Sequence, residues 1–102
     1  MKVNNMYKLV LEPRMNEVSS GVNLYGYIEL DDIKKDLVCT VTYEFLQDIS
    51  NGSTEYLETC NSNFFTIEQI VEDKLKSFSE NVLESKKIKI QVISADRHKY
   101  NL

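Results

Sequence analysis

Residues 66–82 read Thr-Ile-Glu-Gln-Ile-Val-Glu-Asp-Lys-Leu-Lys-Ser-Phe-Ser-Glu-Asn-Val, and this stretch decides the fold. Ile67, Ile70, Val71, Leu75, Phe78 and Val82 recur at spacings of three and four, the period of an α-helix with one apolar face. Glu72, Asp73, Lys76, Glu80 and Glu84 fall opposite and form the solvated side. The start is marked by Thr66 as N-cap, by Gln69 three residues on as the partner of a capping box, and by Phe65 with Ile70 in the hydrophobic-staple positions.

Outward from this helix the period changes to two. On its C-terminal side, residues 87–93 alternate Ile88, Ile90 and Val92 with Lys87, Lys89 and Gln91, which predicts a strand, and residues 95–102 read as a polar, basic tail. On its N-terminal side the sequence predicts four strands. Residues 6–11 alternate up to Glu12-Pro13-Arg14, where a proline that cannot donate to a ladder ends the strand and leaves residues 15–21 as a loop. Residues 22–30 place Val22, Leu24, Ile28 and Leu30 on one face and Asn23, Tyr25, Tyr27 and Glu29 on the other, with Gly26 on the apolar face marking a bulge or a close approach. The polar residues 31–36 form a hairpin connection. Residues 37–47 carry the strongest β signal, because Val38, Thr40, Val41, Thr42, Tyr43 and Phe45 are β-branched or aromatic. Asn51-Gly52 in the cluster 48–53 supplies positive φ for a tight hairpin, so a fourth strand over residues 54–60 pairs with the third.

The order β-β-β-β-α-β describes an α+β domain spanning residues 1–102, an antiparallel sheet of four to five strands packed on one amphipathic helix. The sheet's second face is then left open. It carries Tyr25, Tyr27, Glu29, Thr40, Thr42, Glu44, Lys87 and Lys89.

A chain of 102 residues is long enough for one ordinary core. With three glycines and one proline it is neither collagen-like nor of low complexity. No run of apolar residues approaches membrane-spanning length. The first seven residues hold one lysine and no apolar run of signal-peptide length, so the expected location is the cytoplasm. Cys39 and Cys60 fit that expectation as free thiols, a disulfide between them being the alternative. Asn51-Gly52-Ser53 matches a glycosylation sequon and is read as a turn.

Charge is unevenly spread. Between Glu12 and Asp73 there are 13 acidic residues against three basic ones, whereas from Lys86 onward five basic residues face one acidic. An acidic body repels phosphate backbones and attracts basic partners, which argues against direct nucleic-acid binding.

The residue types needed for catalysis are sparse. The glycines at 21, 26 and 52 have no phosphate-loop spacing. One histidine, His98, and two cysteines 21 positions apart make no zinc pattern, and Asp31, Asp32 and Asp36 lack calcium-loop spacing, so no cofactor or metal is expected. A nucleophile would have to rely on His98, in a basic tail. Neither Glu29 nor Glu44 is singled out as half of a carboxylate pair.

What remains is a non-catalytic protein-binding domain: a small acidic inhibitor that blocks a basic partner such as a nuclease. At the level of size and charge it is similar to toxin-immunity proteins and to phage anti-defence (anti-CRISPR-like) inhibitors, with no family motif. In this reading Tyr25 and Tyr27 anchor the interface, and Glu29, Asp31, Asp32, Asp36 and Glu44 pair with the partner's cations. The alternatives are a small ligand-binding or enzymatic domain, with a pocket between the sheet and the 15–21 loop drawing on Tyr43, Glu44 and His98, and a self-associating subunit or homodimer using the open sheet.

Overall fold

The computed structural model of the chain describes residues 8–30, 32–77 and 86–100. The fold is α+β. Three strands, β1 (Lys8–Val18), β2 (Gly21–Leu30) and β3 (Ile33–Thr42), are followed by three helices, α1 (Tyr43–Ile49), α2 (Tyr56–Ser62) and α3 (Phe64–Lys76). A last strand, β4 (Lys87–Val92), and a 3-10 helix, Ser94–Tyr100, complete the chain. The sheet order is β1-β2-β3-β4. β1, β2 and β3 form an antiparallel meander, whereas β4 lies parallel to β3, so the sheet is mixed. A parallel neighbour needs a crossover connection, and the three helices lie within it.

Two expected strand segments are helices. The third strand stops at Thr42, whose Oγ1 accepts from the Phe45 amide at 3.3 Å and caps α1. Beyond it, Phe45, Leu46 and Ile49 recur as a helical stripe; Phe45 and Leu46 are wholly buried, which an alternating strand could not achieve for two adjacent residues on one sheet face. Asn51 and Gly52 do take positive φ, 58° and 85°, but they end a helix rather than turn a hairpin. The Gly52 amide donates to the Gln47 carbonyl at 2.7 Å. Residues 54–60, expected as the fourth strand, lead into α2, whose Thr59 and Cys60 are buried.

The expected helix is present as α3, and Ile67, Ile70, Val71 and Leu75 are its buried stripe. It starts two residues earlier than Thr66. Asn63 precedes it with no side-chain cap, and Gln69 bonds Asp73 instead of completing a capping box. Phe65 is 83% exposed, so no staple forms with Ile70. Phe78, Val82, Glu80 and Glu84 lie outside the described residues.

At the N-terminal edge, β1 runs through Pro13 instead of ending there. Its register with β2 shifts between Leu11 and Met15, so that Glu12, Pro13 and Arg14 bulge opposite Tyr25. An edge strand tolerates proline at a bulge because no ladder bond is lost. Residues 15–18 therefore belong to the sheet, and the expected 15–21 loop shrinks to a turn at Ser19 and Ser20. Gly26 marks a close approach: a Cβ there would lie 2.1 Å from the Val10 carbonyl oxygen. The 31–36 connection is also shorter than expected, since Leu30 pairs with Ile33 and Asp36 pairs with Tyr27 inside the sheet.

The core lies between one sheet face and the helices: Leu11, Leu24, Ile28, Leu37, Ile88 and Ile90 from the strands meet Phe45, Leu46, Cys60, Ile67 and Val71. Lys74, on the inward side of α3, is accommodated by polar partners. Its Nζ lies 2.8 Å from Asp96 and donates to the Gln91 carbonyl at 2.7 Å. Asp96 also accepts from the Ile93 amide at 2.8 Å, so where residues 95–102 were expected to trail off as a tail, Ser94–Tyr100 is a short helix fastened to the body. Asp48 holds the same segment through Ser94 and, at 3.7 Å, Arg97.

Candidate functional site

The two faces of the sheet have opposite characters. Alternate residues of a strand point to opposite sides, so the core parity leaves Asn23, Tyr25, Tyr27 and Glu29 of β2 facing away from the helices. Cross-strand registration then builds rows on that open face. Tyr27 pairs with Asp36, which pairs with Lys87; Tyr25 pairs with Val38, which pairs with Lys89; Asn23 pairs with Thr40, which pairs with Gln91. Glu29 stands between Lys8 and Lys34.

The tyrosines are half-buried and held. Arg14, from the β1 bulge, lies over the Tyr25 ring at 4.9 Å, and Lys34 over the Tyr27 ring at 4.7 Å. The Tyr25 hydroxyl donates to Asn16 Oδ1 at 2.6 Å, and Thr40 Oγ1 donates to Asn23 Oδ1 at 2.7 Å. Carboxylates on this face alternate with cations: Glu12 pairs with Arg14 at 3.2 Å, while Glu29 and Asp36 each stand between registered neighbours.

Of the expected site residues, the fold brings Tyr25, Tyr27, Glu29 and Asp36 together on the open face. Asp32, at φ 66°, sits in the β2–β3 turn at the end of the sheet, and Asp31 lies outside the described residues. Glu44 does not join them. It opens α1 in the helical layer, exposed to solvent.

Among the described residues, most of the carboxylates sit in that helical layer. Between Tyr43 and Lys76 there are seven carboxylates (Glu44, Asp48, Glu55, Glu58, Glu68, Glu72 and Asp73) against two lysines. Phe65 is at its surface, edge-on to Phe64 with ring centroids 6.2 Å apart. At 100° per residue Glu68, Gln69 and Glu72 share the Phe65 side of α3. Leu57, 40% exposed, adds a second apolar side chain from α2. The sequence signal for Phe65 was the Phe64-Phe65 doublet itself: Phe64 continues the Ile67 and Val71 stripe, and its neighbour must point elsewhere.

Most of the loop that the alternative pocket of Tyr43, Glu44 and His98 needed is paired strand. The Tyr43 hydroxyl instead donates to the Val18 carbonyl, and its ring packs on Tyr56 with centroids 4.5 Å apart. Desolvation, with the nearby Glu17 carboxylate adding, raises the Tyr43 phenol above its ordinary value. The His98 side chain lies outside the described residues. An open depression of about 480 Å³ sits beside β4, lined by Lys74, Lys89, Ile90, Gln91 and Ile93. Among the described residues no group of His, Cys, Asp or Glu is placed to hold a metal ion, and no helix is long and apolar enough to cross a membrane.

Cys39 and Cys60 are free and buried. Burial pushes both thiols up to about 12, with Cys60 adding to the shift at Cys39. Nucleophilic thiolates need the opposite shift. In the native protein neither thiol is expected to react with an aromatic disulfide reagent at pH 8, and both are expected to react once denaturant is added; rapid native labelling would contradict this burial. Unfolded thiols ionise from about pH 8.5 and the folded ones only near 12. This contribution to stability is therefore intact below pH 8.5 and lost as pH rises toward 12.

Comparison with family models, with curated proteins and with solved structures finds no match to this chain.

Proposed function

We propose that the chain is a non-catalytic protein-binding domain of the inhibitor type, acting in the cytoplasm, that takes a basic protein partner such as a nuclease on its helical side. The observation that carries this reading is Phe65: a large aromatic ring 83% exposed on a helix whose same side presents Glu68 and Glu72. An aromatic anchor inside a charged rim is the arrangement that concentrates binding energy at protein interfaces, and the rim's charge speeds encounter with a partner of opposite sign. The layer's excess of carboxylates selects a basic partner. Two free buried thiols accord with a reducing compartment. The toxin-immunity or anti-defence role rests on the chain's size and acidity and on this surface.

Compared with the expectation from sequence, the anchor moves from Tyr25 and Tyr27 to Phe65. Of the described members of the acidic set, Glu44 stays on the partner-binding side, joined by Glu58, Glu68 and Glu72. The test is capture from the cell or host lysate with four baits: the wild type, Phe65→Ala, the triple reversal E58K/E68K/E72K, and K87E/K89E on the open sheet. A basic protein is expected to be retained at low salt by the wild type and by K87E/K89E. Its retention should fall roughly tenfold or more with Phe65→Ala and with the triple reversal, in keeping with the loss of a hot spot. Equal retention by the triple reversal would overturn the reading.

A further inference from the structure

We propose that the open face of the sheet is a second binding surface, and that its ligand is single-stranded nucleic acid. Tyr25 and Tyr27 are two residues apart on β2, so they share the face, with Cα atoms about 6.6 Å apart along the strand. Two rings so placed can each receive one unstacked base once the cation lying over it, Arg14 or Lys34, moves aside onto a phosphate. Aromatic side chains on a sheet that stack successive bases are a general solution for single strands, tolerant of sequence because every base has a π-face.

The phosphates of such a strand need cations beside the rings, and the registration supplies them. Arg14 and Lys34 already lie over Tyr25 and Tyr27, at 4.9 and 4.7 Å. Lys87 and Lys89, both exposed on β4, end the rows that begin at Tyr27 and Tyr25, two strand spacings or about 10 Å away. Lys8 stands beyond Glu29 on β1. The face therefore carries five cations, Lys8, Arg14, Lys34, Lys87 and Lys89, against three carboxylates, Glu12, Glu29 and Asp36, the first of them bonded to Arg14. Its sign is opposite to that of the chain as a whole.

The Tyr25 ring is also held in place. Asn16 accepts from its hydroxyl, and Asn23, bonded to Thr40, stands in the next row. Less of its side-chain freedom is then lost on binding. Nor does the acidic body forbid a polyanion. The helical carboxylates lie across the sheet and a helix layer about 10 Å thick, a full Debye length at 0.1 M salt. A duplex keeps its bases stacked inward and offers these rings nothing, so the geometry selects the single strand.

The experiment is fluorescence anisotropy with labelled dT15 and U15 oligonucleotides, each against the corresponding duplex, from 50 to 200 mM salt. Binding of at least one single strand, tighter than its duplex, is expected. The logarithm of affinity should fall with the logarithm of salt at a slope of about −2 to −3, corresponding to three or four phosphates neutralised. Y25T/Y27T, which keeps strand-forming residues, should weaken binding tenfold or more, whereas Y25F/Y27F should retain it. K87E/K89E, at two exposed positions that do not disturb the core, should weaken binding and flatten the salt slope. No single-strand binding at 50 mM salt would overturn the proposal. So would equal binding of duplex, or affinity unchanged in both Y25T/Y27T and K87E/K89E. The helical variant E58K/E68K/E72K leaves this surface intact, so loss of partner capture and loss of oligonucleotide binding are read separately.

Discussion

Leu46→Ala is expected to destabilise the protein by about 2–5 kcal/mol, the range for emptying a fully buried leucine site. For a chain of this length that lowers the melting temperature by roughly 10 °C or more. The substitution is informative because the two readings of residues 43–47 place Leu46 on opposite sides. A strand continuing from β3 would bury Tyr43 and Phe45 and turn Leu46 to the opposite face, where truncation costs within about 0.5 kcal/mol. In α1, Phe45 and Leu46 are adjacent on the helix wheel and both are wholly buried. Urea unfolding of Leu46→Ala beside Phe65→Ala measures the contrast, since Phe65 is the surface control. A Leu46 variant as stable as the wild type would restore the strand.

Gly26→Ala is expected to act on the other edge of the sheet. Its Cβ would meet the Val10 carbonyl oxygen at 2.1 Å and the Leu11 Cα at 3.0 Å, both backbone atoms that can yield only if β1 moves away from β2. A loss on the order of 2–4 kcal/mol follows from that displacement and the ladder bonds it breaks. Amide exchange should accelerate first at Val10 and Leu11, the residues registered with Tyr27 and Gly26. Gly52→Ala is the internal comparison. There the space is open and only the positive φ of 85° opposes a side chain, so about 1–2 kcal/mol is expected. Equal effects at the two glycines would contradict the close approach at Gly26.

The parts of this fold legible in the sequence are those where a single periodicity acts alone. The stripe of α3 and the alternation of β4 are carried by side chains that repeat without competitors, and Val22, Leu24 and Ile28 of β2 were equally plain. Residues 43–60 were not, because there local propensity and tertiary placement disagree. Tyr43 and Phe45 favour strands as residue types, yet the Thr42 cap and the buried pair Phe45-Leu46 settle a helix. Leu46 was the one visible sign, an apolar residue where alternation demanded a polar one. Asn51-Gly52 gave the right backbone conformation for the wrong neighbours, since positive φ closes a helix as readily as a hairpin. Pro13 misled through position: it ends a central strand but sits in the bulge of an edge strand, and edge status is a property of the assembled sheet.

The site was legible as types of residue but not as surfaces. Tyr25 and Tyr27 were correctly placed on the open face, because their parity is fixed by Leu24 and Ile28. Of the acidic residues grouped with them, Glu29 and Asp36 lie on the open face and Glu44 in the helical layer. Charge counted along the chain merges Glu44, Glu58, Glu68 and Glu72 of the helical layer with Glu29 and Asp36 of the sheet. The lysine registered with Asp36, Lys87, arrives from β4, about 50 residues away in sequence, through a parallel pairing that no local pattern encodes.

The proposal that a basic protein docks on the helical side around Phe65 is best checked by amide hydrogen exchange of the captured complex, compared with the free protein. New protection is expected in residues 56–72, across α2 and the exposed side of α3, with β2 unchanged at Tyr25 and Tyr27. Protection confined to β2, β3 and β4, with α2 and α3 unaltered, would contradict it.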